Sequence, residues 1–342
     1  MKNVVAFGEI LLRLSPPDRE RFFQSPRFQT FFGGAEANVA ASLAQFGHSV
    51  RLISVLPKNE IGSAAVRALR LLGVETDHLL RKGTRLGLYF VEMGANQKPT
   101  QVIYDREHSA LAEARPGDID WAGALAGRDW LHVTGITPAL SRSAADLTLE
   151  AVKAARSMGL AVSVDLNYRA MLWNYGLPAP EVMGEIFNFA DLGIANEEDC
   201  QKALGIHPPI SKQGERPDLK GFERLTLEVM ERFPRLTRLA VTLRESRNAD
   251  QNVWSAVLRN REECLTGSVY EITDIVDRIG AGDAFAGGLI HGLDVLSSDR
   301  EALEFALAAS CLKHSIPGDF NLVSEGEVLA LMRGDRSGRV RR

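Results

Sequence analysis

The chain has 342 residues, of which 45% are hydrophobic and 25% charged, with a formal net charge of −4. That is the make-up of an ordinary globular protein; its net charge gives no sign of a nucleic-acid surface, and no stretch approaches the ~20 apolar residues of a membrane span. Cys200, Cys264 and Cys311 are too widely separated for a metal-ligand spacing, so reduced thiols in a cytoplasmic protein are expected.

Asn3 to Phe7 reads as a strand with no basic or long apolar leader before it, which argues against secretion. The length suits one large α/β domain over 1–342 with an appendage, ending in a basic tail at 334–342. Ile10 to Leu14 resumes the apolar pattern before Pro16-Pro17, and Phe22, Phe23, Phe28, Phe31 and Phe32 form an aromatic stretch of which at least part is expected in the core. Gly33-Gly34 then opens a helix that stops near Gly47. Two glycines at a helix start let the backbone approach a ligand, and Asn38, a turn further on, can aim its amide at hydroxyls; simple helix entry fits equally well. Val50 to Val55 as strand and Ile61 to Leu72 as helix continue a βαβ rhythm.

The rhythm changes at Leu88 to Met93 and Gln101 to Arg106, two strand-like segments joined by a long loop. They predict a small antiparallel sheet standing off a parallel one, a lid that excludes water. Tyr89, Tyr104 and Arg106 alternate as ligand-facing residues would, and as any half-buried strand would. The lid also offers a strand edge for a second subunit, so a homo-oligomer joined through it is expected.

Trp130 to Thr134, Ala161 to Asp165, Asp191 to Ala195 and Leu239 to Leu243 are further strands, with a helix over Ala144 to Ser157. Ligands of open α/β sheets bind beyond the carboxyl ends of strands, where Asp165, Asn167, Arg169, Asn196, Thr242 and Arg244 fall. Asp165 either serves a site or pairs with Arg169. The Asn196-Glu197-Glu198-Asp199 cluster either caps a helix or holds hydrated magnesium. Arg244 meets phosphate or solvent. Pro208 to Pro217 reads as a polar loop, Asn252 to Leu258 as a sheet-edge strand, and Glu301 to His314 as an Ala-rich helix. In the turn after it, Asp319 is a cap or a second carboxylate.

The most informative stretch is Glu271 to Ile290: a strand, then Gly280-Ala281-Gly282-Asp283, then an Ala/Gly/Leu helix. Glycine there lets successive N–H groups converge at the positive end of the helix dipole, which suits an anion. Asp283 at that point either caps the helix or accepts a proton from a hydroxyl while the amides hold a phosphoryl group.

Gly33-Gly34…Asn38, the inserted strands, Asn196…Asp199 and Asp277…Gly280-Ala281-Gly282-Asp283, in that order across nearly the whole chain, resemble the ribokinase-like (PfkB) carbohydrate kinases. Gly-Gly-Ala-Glu-Ala-Asn, Asp165 to Arg169 followed by Leu172-Trp173, and Tyr104…Arg106…Ser109-Ala110 look most like the kinases of 2-keto-3-deoxygluconate. The resemblance implies a three-layer α/β sandwich with a mainly parallel sheet and a β-sheet lid from segments near 10–32 and 86–106. It implies Asp283 as general base, with Gly280, Ala281 and Gly282 as anion hole. Gly33, Gly34, Asn38, Tyr89, Tyr104, Arg106, Arg169 and Asp319 match the sugar side, the two arginines suiting a substrate carboxylate. Asn167, Asn196, Thr242, Arg244, Gly280 and Gly282 fall near ATP, Asp199 near Mg²⁺ through water, and a monovalent cation can accompany them. The chain departs from the family pattern at Pro57, Arg278, Asp199, Arg244 and Glu245.

The expected activity is ATP-dependent phosphorylation of the terminal primary hydroxyl of a sugar acid, 2-keto-3-deoxy-D-gluconate first. A fructokinase or nucleoside kinase on the same scaffold is the near alternative, and a non-catalytic sugar sensor the alternative of another class. A dinucleotide-dependent oxidoreductase lacks its fingerprint, since the first strand leads to Gly8-Glu9 rather than Gly-x-Gly-x-x-Gly.

Overall fold

Strand β1 (Asn3–Phe7) shows why the protein has two cores. Its side chains alternate, Val4 and Ala6 into one apolar cluster, Val5 and Phe7 into the other, so the sheet is covered on both faces. The computed structural model describes residues 1–207 and 219–335, so the loop expected at 208–217 and all but the start of the basic tail lie outside the described residues.

After β1 come β2 (Leu11–Ser15), β3 (Gln29–Gly33), α1 (Ala35–Gln45), β4 (Ser49–Ile53), β5 (Val55–Leu56), α2 (Glu60–Leu71), β6 (Leu80–Arg81), β7 (Gly87–Glu92) and β8 (Gln101–Asp105). The middle holds α3 (Trp121–Leu125), β9 (Trp130–Thr134), α4 (Arg142–Ser157), β10 (Ala161–Asp165), α5 (Ala179–Phe187), β11 (Leu192–Asn196), α6 (Glu197–Leu204) and α7 (Leu219–Arg232). The last part comprises β12 (Arg238–Ser246), β13 (Asn252–Arg259), β14 (Cys264–Thr266), β15 (Tyr270–Ile272), α8 (Ala281–Val295), α9 (Asp299–Lys313) and α10 (Glu325–Met332).

Among the described residues the main sheet runs β14-β13-β12-β11-β10-β9-β1-β4, with β15 also on β13. Pairing is parallel from β4 to β12 and antiparallel beyond. Helices α1, α2, α8, α9 and α10 cover one face and α3 to α7 the other, giving the expected three-layer sandwich. Side-chain caps start several of the helices: Asn59 accepts from Gly62 N–H at α2, Ser141 from Ala144 at α4 and Ser298 from Glu301 at α9.

The smaller sheet, β3-β2-β7-β8, has β2 and β7 parallel at its centre and antiparallel strands at its edges. None of the five phenylalanines before Gly33 is fully buried. Phe22 and Phe28 pack edge-on against Phe90 of β7, at 6.5 and 6.1 Å, Phe32 packs partly buried against the main core, and Phe23 is exposed. Two other expectations shift. Strand β13 is interior, because β14 and β15 both bond to its outer side. The strand before the glycine turn ends at Ile272, where Asp274 enters a left-handed turn at φ 53°.

Candidate active site

The carboxyl ends of β10, β11 and β12, the starts of α1 and α8 and the inner side of the small sheet enclose a cavity of about 1110 Å³. That is room for more than one small molecule. Gly280, Ala281, Gly282 and Asp283 line it. Gly280 stands just before α8 at φ 82°, and a Cβ there would lie 2.1 Å from the Asp319 carbonyl oxygen, so only glycine fits. No side chain caps α8, which excludes the helix-cap role weighed for Asp283 and leaves the first-turn amides uncapped by any side chain. Asp283 is buried and accepts a hydrogen bond of 2.6 Å from Asn38 Nδ2. Burial raises its pKa to about 6, against the pull of Asn38 and Arg169.

On the sugar side, Gly34, Asn38, Tyr89, Tyr104, Arg106 and Arg169 line the cavity. A Cβ at Gly34 would lie 2.0 Å from the Glu9 carbonyl oxygen. Tyr89 and Tyr104 stack at 6.0 Å and the Arg106 guanidinium lies over the Tyr104 ring. Arg106 is already committed, however: its Nε donates to Glu9 at 2.9 Å and one amino group to the same oxygen, while Ser109 donates to the other. Gly33 and Asp319 sit behind the lining rather than in it. Asp319 is buried, accepts a hydrogen bond from the Tyr89 hydroxyl and pairs with Arg13 at 3.3 Å, so its carboxylate is held in the protein. Arg169 differs, being exposed and, among the described residues, donating only to the Tyr168 carbonyl, with no ion pair to Asp165.

At the strand ends, Asp165, Asn167, Asn196, Asp199, Thr242 and Arg244 all face the cavity. Asp199 and Asn196 form a reciprocal cap on α6: Asp199 Oδ2 accepts from Asn196 N–H at 2.8 Å and Asn196 Oδ1 from Asp199 N–H at 2.8 Å. Asp199 Oδ1 accepts from Tyr168 N–H. The direct role of Asp199 is therefore to build the strand-to-helix corner. Asp165 accepts from Asn167 N–H at 3.1 Å, in a turn that puts Asn167 at φ 35°. Burial, then the charges of Asp199 and Asp283, raise the Asp165 pKa well above its ordinary value. Among the described residues no group of three or more His, Cys, Asp or Glu is arranged to hold a metal ion alone. A hydrated magnesium ion that also takes phosphate oxygens needs less, and mutually repelling carboxylates fit it.

Sequence reasoning missed the layer beneath. Arg13 is almost fully buried and pairs with Asp277 at 2.8 Å as well as Asp319. Asp277 in turn accepts from Ile279 and Gly318 N–H groups, tying the glycine turn to the segment after α9. Lys313, also buried, donates to the Ile316 carbonyl under Gly280. Glu36 accepts from Thr134 and Thr137, and burial lifts its pKa to about 7. The readable signal was the phase of β2: Arg13 falls on the same buried face as Leu11 and Ser15.

An anion-binding turn that also presents a buried carboxylate, at the sheet edge of a three-layer α/β sandwich, is the equipment of an enzyme that phosphorylates an alcohol. The sequence pattern of the pfkB family carbohydrate kinases matches residues 1–216 and 256–321. A 2-dehydro-3-deoxygalactonokinase of Haloferax volcanii is 32% identical, over 98% of both chains. The crystal structure of a 2-dehydro-3-deoxygluconokinase of Thermotoga maritima superimposes with a TM-score of 0.92 at 44% identity, over 98% of this chain and 100% of that one. A 2-dehydro-3-deoxygluconokinase of Thermoproteus tenax is 26% identical over 93% of this chain and 90% of its own. The chain belongs to the pfkB family of carbohydrate kinases and has the ribokinase-like fold.

Proposed function

We propose that the protein transfers the γ-phosphoryl group of ATP to the terminal primary hydroxyl of 2-keto-3-deoxy-D-gluconate, giving the 6-phosphate and ADP. The observation that carries this reading is Asp283, a buried carboxylate in the first turn of an uncapped helix. Asp283 accepts the proton of the hydroxyl as its oxygen bonds to phosphorus. The bond from phosphorus to the ADP oxygen breaks, and the N–H groups of the Gly280–Gly282 turn meet the charge on the transferring group. Asp165, and Asp199 through water, would hold magnesium, which when bound neutralises phosphate charge.

For the acid, support comes from Arg169, exposed at the cavity beside Asp283 and without a carboxylate partner among the described residues. Arg106, turned to Glu9, instead orders the wall carrying Tyr104. The Haloferax relative's name favours the galactonate epimer as a second reading. All five residues of β8 are exposed, Ile103 by 54%, so we place a subunit contact on that edge.

The test is a substrate panel with Mg-ATP. The keto-deoxy acids should be phosphorylated far faster than fructose or adenosine. Faster turnover of either neutral substrate would overturn the assignment, and the ratio of the two epimers decides between them.

A further inference from the structure

Two arginines at the cavity have no step in the reaction proposed above, although Arg244 was expected near ATP. Arg278 directly precedes the Ile279-Gly280 turn and Arg244 lies near the end of β12; both line the cavity. Neither makes an ion pair among the described residues. The carboxylates nearest Arg278 are engaged elsewhere, Asp277 with Arg13 at 2.8 Å and Asp250 with Arg19 at 2.9 Å. One Arg278 amino group is anchored to the carbonyls of Ala249, at 2.6 Å, and Asn248, at 3.3 Å, while its Nε is buried without a partner. Arg244 makes no hydrogen bond among the described residues. It is exposed where it lines the cavity, and partial loss of hydration, then Arg278 and Arg169, lower its pKa. Fixing one such cation in place while another repels it costs stability unless an anion is to be received.

Strand order indicates which anion. Arg169 follows β10, and β10, β11 and β12 are successive neighbours, which sets the ends of β10 and β12 about 10 Å apart. Of the two cations that act on Arg244, Arg278 beside the amide turn weighs more than Arg169. A chain of phosphates starting in the amide turn beside Arg278 and running toward β12 has the charge to meet both arginines that line the same cavity. We infer that Arg278 and Arg244 form a clamp for the polyphosphate tail of the nucleotide, with the hairpin loop at Asn248 and Ala249 as the brace of Arg278. The two guanidinium groups offer planar, multi-donor recognition of phosphate oxygens that a lysine only partly supplies.

This inference rests on the ATP-dependent reading, and the experiment separates the two. Arg244→Ala, Arg278→Ala and Arg278→Lys are assayed with Mg-ATP, and binding of ATP, ADP and AMP is measured by calorimetry. The clamp predicts a KM for ATP raised at least tenfold in both alanine variants, with KM for the sugar acid within about twofold. ATP and ADP binding should fall while AMP binding holds, with partial recovery in Arg278→Lys. Inorganic tripolyphosphate should compete with ATP on the wild type and compete more weakly on Arg244→Ala. If Arg278→Ala does not fold, Arg244→Ala and tripolyphosphate carry the test, since Arg244 makes no hydrogen bond or ion pair among the described residues. Equal losses for AMP and ATP, an unchanged KM for ATP, or losses confined to the sugar acid or its phosphorylated product would overturn the clamp. A wild type that does not turn over ATP would instead overturn the reading beneath it.

Discussion

Asn38 Nδ2 lies 2.6 Å from Asp283 Oδ2, joining the first turns of α1 and α8, 245 residues apart in the chain. The same amide accepts from Gly34 N–H through Oδ1 at 3.3 Å, so its orientation is fixed at both ends. The bond stabilises the ionised form of a carboxylate that burial drives toward the neutral one. Replacing Asn38 by Leu should move the acidic limb of the kcat/KM profile up by about one pH unit and lower kcat several-fold at pH 7. A profile that does not move would show that Asn38 does not tune Asp283.

Arg13 holds two buried carboxylates from the segments flanking α8 and α9. Arg13→Met leaves Asp277 and Asp319 uncompensated, for a loss of about 3–5 kcal/mol and a fall in Tm of roughly 5–15 °C by calorimetry. Replacing the two aspartates by Asn as well should recover part of that loss.

Arg169→Ala should raise KM for the keto-deoxy acid at least tenfold, while turnover of a neutral sugar used as a poor substrate changes little. Arg106→Ala should differ, because it strands Glu9 in a buried position. Its Tm should fall along with its activity.

Lys313 places a fixed ammonium under the glycine turn, near Asp277, Asp319 and Asp283. Turnover by the wild type should therefore be the same in potassium and in choline salts at equal ionic strength. A rate that collapses without potassium would contradict this.

Ile103→Lys places a charge on the exposed β8 edge. If that edge joins subunits, light scattering at fixed concentration should show an oligomeric wild type and a monomeric variant with unchanged Tm.

Much of this arrangement was legible from local pattern, and the limits follow from range. The Gly280 to Asp283 turn could be read because its glycines and acid are contiguous, and the strand-end residues because period-two runs announce where strands stop. The pairing of Arg106 with Glu9 was not legible, because the two lie 97 residues apart and share no local signal. The partners of Asp319, Arg13 and Tyr89, were hidden for the same reason, lying far off in the small sheet. Of the aromatic stretch, expected in part in the core, Phe32 packs against it, but which rings do so was not legible because periodicity reports which side is apolar, not what covers it.

The most direct test is the pH dependence of Asp283→Asn set beside the wild type. With a carboxylate near pKa 6, wild-type kcat/KM should rise through pH 6 to a plateau, and Asp283→Asn should lose at least about a hundredfold in kcat at pH 7 while still binding the sugar acid. Stability should move oppositely. Because the folded pKa lies above the ordinary 3.8, stability contributed by the protonated form is complete below about 4 and lost as pH rises through 6. The variant should therefore melt a few degrees above the wild type at pH 7, and the gain should vanish near pH 4. An Asp283→Asn enzyme that turns over at the wild-type rate would contradict the assignment of Asp283 as the base.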